Sequence, residues 1–159
     1  MPENFAGGLS AQTRTKVCEI LNERLADQIA LTLAVKQAHW TLKGPGFIGV
    51  HELLDEVADR LREGADLMAE RVTTLCGFPH GTAEAVAEKA TLKAYPTEEE
   101  DIAVHVRTLT DLFKDQGEKV RKAIEAAGDA GDSDTEDLFT EVSRQLDKDA
   151  WFIGANAKP

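Results

Sequence analysis

The sequence predicts an all-α protein: a four-helix bundle with a short extra helix in a long crossover between the second and third long helices. Three observations carry this expectation. Apolar residues recur at steps of three and four through four long stretches, the period of a helix with one buried face. A loop-rich connection from Cys76 to Pro96 separates the second stretch from the third, and it is long enough for those two helices to run parallel. No segment alternates with the period of a strand.

Ser10 is the expected N-cap of the first helix, whose stripe is Val17, Ile20, Leu21, Leu25, Ile29 and Leu33 and which extends to about Leu42. Gly44-Pro45-Gly46 then breaks the chain. The second helix starts after Pro45 and runs to about Leu75 on Phe47, Leu54, Ala58, Leu61, Ala65, Met68 and Val72. Gly64 in its middle costs about 1 kcal/mol relative to alanine, which a close helix crossing would explain. Residues 76–81, CGFPHG, are loop chemistry, and Thr82 caps a short helix through AEAVAEKA. Thr97-Glu-Glu-Glu100 reads as a capping box that opens the third long helix. Ile102, Val106, Leu109, Phe113, Val120, Ile124 and Ala127 carry its stripe, and Gly128 and Gly131 end it. Ser133-Asp-Thr-Glu136 reads as a second capping box for the last helix, which buries Leu138, Val142, Leu146 and Ile153 and has Trp151 near its end. Residues 1–159 are expected to form one domain, with 1–9 and 155–159 as flexible tails.

Hydrophobic residues are 42% and charged residues 30% of the chain, the balance of a soluble globular domain. There is neither an apolar run of spanning length nor a basic-then-apolar leader, so a cytoplasmic location is expected, with nucleoid association as its variant. Cys18 and Cys76 lack metal-type spacing and read as free thiols. The net charge of −11 opposes a general attraction to nucleic acid and suits a protein that gathers cations. For any single acid, a solvated surface is the plain reading.

The stretch from His39 to Glu70 concentrates the chemistry. His51 and Asp55 are four apart, as are Asp66 and Glu70, so each pair stacks on one helix face. Imidazole with carboxylate suits iron, manganese or zinc. His51 and Asp66 are separated by about 22 Å of helix, so the two pairs cannot hold one ion within a single chain. They meet if a second copy of the helix packs antiparallel across a two-fold axis. A hairpin turning near residue 45 puts His39 level with His51. The candidate site is therefore His39, His51 and Asp55 from one subunit with Asp66 and Glu70 from its mate. The plain alternative is two satisfied histidines near the core and three surface acids. A di-iron site inside one subunit is not expected, because no glutamate stands three residues before any of the four histidines. His80, in the loop, reads as a surface residue, and His105 as structural or exposed despite Asp101 four residues before it.

KQAHW, GPGFIGVHELLDEV, DLMAERV, LKAYP and SRQLDKDAWF together resemble the Dps family, mini-ferritins named as DNA-binding proteins from starved cells. The resemblance covers about residues 12–153. It implies a ferritin-like fold, a homo-oligomer that closes as a hollow dodecamer, and ferroxidase sites at two-fold interfaces. On that pattern His39, His51 and Asp55 match the ligands of one subunit, and Asp66 and Glu70 those of its partner. The implied reaction oxidises Fe(II) with hydrogen peroxide or O2 at a two-iron site, with zinc or manganese as substitutes, and stores ferric mineral inside the shell. Trp40 matches a tryptophan the family keeps beside its site, where it would donate a stray electron; packing against the partner subunit is the other reading. GDAGDSDTED resembles the segment lining the family's acidic three-fold pores. Asp137 matches a pore acid in position, and Asp134 flanks Ser133, where some members carry an acid. Helix capping is the other reading of these residues.

The family's second activity is DNA condensation through a lysine-rich tail. Residues 1–13 contain no Lys or Arg, and the far end offers only Lys158, so DNA binding is not expected unless divalent cations bridge it. Two alternatives stand beside the iron-oxidising reading: a DNA-coating protective protein and a passive divalent-metal cage.

Overall fold

The computed structural model describes residues 3–157. Met1, Pro2, Lys158 and Pro159 lie outside the described residues, and with them the ends of both expected tails. Five helices follow in order: α1 (Ala11–Thr41), α2 (Phe47–Thr74), α3 (Ala83–Lys89), α4 (Ile102–Asp129) and α5 (Ser133–Gly154). This is the expected four-helix bundle with a short helix in the crossover, and no strand is present among the described residues.

The α1–α2 hairpin turns about Pro45. Contacts between the two helices pair residues placed almost symmetrically around it: His39 with His51, Gln28 with Leu61, and Cys18 with Val72. Helix α4 runs antiparallel to α1, since Thr41 meets His105 while Gln28 meets Gln116. Helices α2 and α4 are therefore parallel, as the long crossover permits. Helix α5 returns antiparallel to α4, with Thr110 beside Gly154 and Gly128 beside Glu136. The core between them is apolar and includes Leu21, Leu54, Leu61, Met68, Phe113, Phe139 and Leu146.

Ser10 caps α1 by accepting from the Thr13 amide, and Thr82 caps α3 through the Ala85 amide. Gly46 sits at φ +82° at the start of α2, a conformation glycine adopts without a Cβ penalty. Of the expected tail 1–9, residues 5–9 lie against the bundle. Phe5 N–H donates to Thr74 O at 3.2 Å, and Arg14 donates to Leu9 O at 2.6 Å.

Two caps differ from the sequence expectation. The third long helix begins at Ile102, not after Thr97, and Asp101 caps it through the amides of Ala103 and Val104. The preceding turn is drawn alongside the α1–α2 connection, where Lys43 N–H donates to Glu100 O at 2.7 Å, and this competes with a helical turn there. The last helix is capped by Asp132, not Ser133. Arg71 grips the Asp132 carboxylate at 2.8 and 3.0 Å, which aims it at the Thr135 amide. Helix α4 also runs through Gly128 to Asp129 before Gly131, at φ +85°, turns the chain.

The buried stripes shift at their edges. Leu33 and Phe47 face outward, whereas Val50, Val57 and Phe139 are inside. Ile20, Ile29, Ala65, Ile124 and Leu138 are half-buried against the core. Gly64 is explained by a side chain. A Cβ there would lie 2.8 Å from Gln28 Nε2, which donates to Leu61 O and crosses α2 at this point.

Candidate metal centre

His39 lies in the last turn of α1 and His51 in the second turn of α2. The hairpin stacks their rings with centroids 3.7 Å apart and planes inclined by 17°. Nδ1 of His39 lies 2.8 Å from the carbonyl of His51, and Nδ1 of His51 lies 2.9 Å from the carbonyl of His39. A carbonyl oxygen only accepts, so both rings carry their proton on Nδ1. Each neutral ring then carries its lone pair on Nε2, the arrangement that a hydrogen bond to the other ring nitrogen imposes on a metal-ligating imidazole. Phe47 stacks on His51 at 5.0 Å and extends the pile by a third ring.

Asp55 sits one turn beyond His51 and is exposed. Lys36 of α1 reaches across and donates to its Oδ1 at 2.6 Å. The Lys36 hydrogen bond, opposed by desolvation and supported by the charges of Lys36 and Arg62, holds the Asp55 carboxyl below the usual carboxylate range. The same ammonium lies 5.9 Å from the ring centre of Trp40, which is 67% exposed.

Asp66 and Glu70 project from the later turns of α2 and are both exposed. Neither carboxylate makes a hydrogen bond or ion pair with the described residues. Asp66 lines a shallow groove between α1 and α2 together with Leu33, Lys36, Trp40, Ala65 and Ala69. The structure thus stacks His39 on His51, turns the Asp55 carboxylate to Lys36, and leaves Asp66 and Glu70 further along the helix. Among the described residues, no group of three His, Cys, Asp or Glu side chains is placed to hold a metal ion.

The other candidates separate cleanly. His80 is exposed, and its backbone amide donates to Asn22. His105 is buried and fully engaged, with Tyr95 Oη at 2.6 Å from Nδ1 and Glu99 O at 3.0 Å from Nε2. Burial pushes the Tyr95 phenol well above its ordinary range, so the hydroxyl donates and His105 accepts at Nδ1. Asp134 and Asp137 are exposed beside the start of α5, with Asp134 3.8 Å from Arg71. Asp132, flanking them, is buried and spent on capping.

Sequence reasoning missed Lys36 and misplaced Phe47. Lys36 stands three residues before His39 and four before Trp40, on the same side of α1, and that spacing was the available signal. Phe47 was assigned to the core because its spacing fits the stripe, but it sits in the first turn, where the bundle ends.

A ferritin-like domain model matches residues 18–158. The DNA protection during starvation protein of Agrobacterium fabrum is 45% identical over 150 residues, covering 94% of this chain and 93% of that protein. Among solved structures, the tetragonal form of Mycobacterium smegmatis Dps superposes with a TM-score of 0.93 at 33% identity, covering 100% of this chain and 96% of that one. DpsA14 from Streptomyces coelicolor gives 0.93 at 32% identity, covering 99% of this chain and 94% of the other.

Proposed function

This chain belongs to the Dps family of ferritin-like proteins, and we propose that it oxidises Fe(II) with hydrogen peroxide at sites shared between two subunits. His39, His51 and Asp55 supply one half of each site. Asp66 and Glu70 of a second copy supply the other when the two α2 helices pack antiparallel. The observation that carries this reading is the reciprocal Nδ1 bonding of His39 and His51, which leaves the lone pair of each neutral ring on Nε2, available to a metal. The unpartnered Asp66 and Glu70 on the same helix supply the missing charge.

Two exposed apolar side chains, Leu33 and Trp40, line the groove that holds Asp66 and Lys36. A second copy covering them would exclude water from the site and complete it in one step. Carboxylate oxygens favour Fe(III) and imidazole tolerates Fe(II), so the mixed set serves both ends of the reaction. Two irons deliver the two electrons that reduce one peroxide to water, and no hydroxyl radical is released. Trp40, beside the site, serves as a donor for a stray oxidising equivalent. The ferric product is stored inside a homo-oligomeric shell, expected to be a dodecamer, which Fe(II) enters past Asp134 and Asp137. Zinc and manganese bind the same ligands as substitutes.

Direct DNA coating is not part of this proposal, given the net charge of −11. No helix among the described residues is long and apolar enough to cross a membrane. The test is anaerobic loading with Fe(II), followed by a stoichiometric pulse of peroxide while ferric absorbance is followed. Fast oxidation with soluble product, lost in a His39→Ala, Asp66→Ala variant, supports the reading. Equal slow rates in both proteins overturn it.

A further inference from the structure

Cys18, in the second turn of α1, and Cys76, in the turn that ends α2, are far apart in sequence but line one surface cavity with Arg14, Asn22 and His80. The hairpin brings them together, because Cys18 stands opposite Val72 and its Sγ lies 3.8 Å from Val72 O. The same sulfur presses on the residue after Cys76: a Cβ on Gly77 would be 2.7 Å from it. With consecutive Cα atoms about 3.8 Å apart, Cys18 Sγ is therefore within about 8 Å of the Cys76 Cα. Disulfide geometry then requires rotation of the two side chains and whatever shift of the turn brings their Cα atoms within about 7 Å.

The backbone at Cys76 is unusual. Gly77 N–H donates to Val72 O and Cys76 N–H to Thr73 O, the paired bonds of a Schellman ending. The left-handed residue of that motif is normally glycine. Here it is Cys76, at φ 70°, the single non-glycine residue at positive φ among those described. A thiol-bearing residue thus stands where a side chain is disfavoured. Both thiols are partly buried and both remain thiols here.

We propose that Cys18 and Cys76 are a peroxide-oxidisable dithiol that closes to an intrachain disulfide, a second peroxide-consuming site independent of iron. Cys76 attacks first: its thiolate displaces hydroxide from hydrogen peroxide, the O–O bond breaks, and a sulfenic acid forms on Cys76. Cys18 then attacks that sulfur and expels the hydroxyl, which leaves as water with the Cys18 proton. Overall, two thiols and one peroxide give one disulfide and two waters. The order follows from the surroundings of Cys18. Burial and the neighbouring Cys76 push its thiol above the ordinary range, against the pull of Arg14 and Arg71, which makes Cys18 a poor first nucleophile.

The test uses the assembled protein, freed of iron by a chelator and given one equivalent of hydrogen peroxide per chain. Both thiols should disappear together, the chain should lose two hydrogens in mass, and a peptide map should link residue 18 to residue 76, all reversed by dithiothreitol. In Cys18→Ser, Cys76 should gain one oxygen that dimedone captures. In Cys76→Ser, Cys18 should survive as the thiol. Persistence of both thiols in the parent protein would overturn the proposal, as would oxygen added to the cysteines without a link, or a link joining two chains.

Discussion

His39 and His51 each donate Nδ1–H to the other's backbone carbonyl, at 2.8 and 2.9 Å, so that one hairpin fixes two imidazole tautomers at once. The consequence is spectroscopic. In the metal-free protein, nitrogen NMR should find both rings protonated on Nδ1, and zinc should shift both Nε2 signals. An Nε2-protonated ring in either position would contradict the assignment of these atoms as the presented ligands.

Lys36 competes with any cation for Asp55. Replacing Lys36 with methionine should tighten zinc binding by about two- to fivefold, the scale of an exposed ion pair, when measured by calorimetry. It should also raise the titration of Asp55 toward the ordinary carboxylate range. The sign of the linkage follows. The folded-state carboxyl is depressed, so the Lys36–Asp55 pair stabilises the fold above the unfolded carboxylate range. That contribution is lost as pH falls through the folded-state value. An unchanged Asp55 titration in the variant would contradict this.

The two relocated caps separate by mutation. Asp132→Ala removes the cap of α5 and takes from the mostly buried Arg71 guanidinium its nearest carboxylate, leaving it Thr135 Oγ1 and the exposed Asp134 at 3.8 Å, and should cost about 2–4 kcal/mol in chemical denaturation. Ser133→Ala should be neutral to within about 0.5 kcal/mol. Likewise Asp101→Ala should cost about 1 kcal/mol and Thr97→Ala almost nothing. Equal costs within either pair would restore the capping-box reading.

Gly64→Ala sets two effects against each other. Helix propensity favours alanine by about 1 kcal/mol. Against it, the new Cβ meets Gln28 Nε2 and breaks a buried chain of bonds through Leu61 O and Gln116. Overpacking of this kind costs about 1–3 kcal/mol, so a net loss of about 1 kcal/mol is expected. In a Gln28→Ala background the obstruction is gone, and the same substitution should stabilise. A substitution that is neutral in both backgrounds would refute the close approach.

These residues also show where sequence suffices. The His39–His51 pairing was legible because Gly44-Pro45-Gly46 fixes the turn and helix geometry does the rest. Ser10 and Thr82 were legible because a cap is local. Asp132 was not, because its advantage over Ser133 comes from Arg71, sixty-one residues earlier in the chain. Asp101 prevails because Glu100 is tied to Lys43 across the bundle. Lys36 is tied to Asp55 in the same way, across two helices, and no spacing within one helix states that pairing.

The central claim is that each site is completed by a neighbour, and subunit mixing tests it most directly. One chain carries His39→Ala and His51→Ala; the other carries Asp66→Ala and Glu70→Ala. Each assembled alone should be inactive in peroxide-driven Fe(II) oxidation. A dimer of one with the other contains one site with every ligand intact and one that keeps Asp55 alone. Random co-assembly should therefore restore about a quarter of the parent activity, as two-fold symmetry dictates. A mixture as inactive as its components, under conditions where mixed shells are verified by mass, would contradict the shared site.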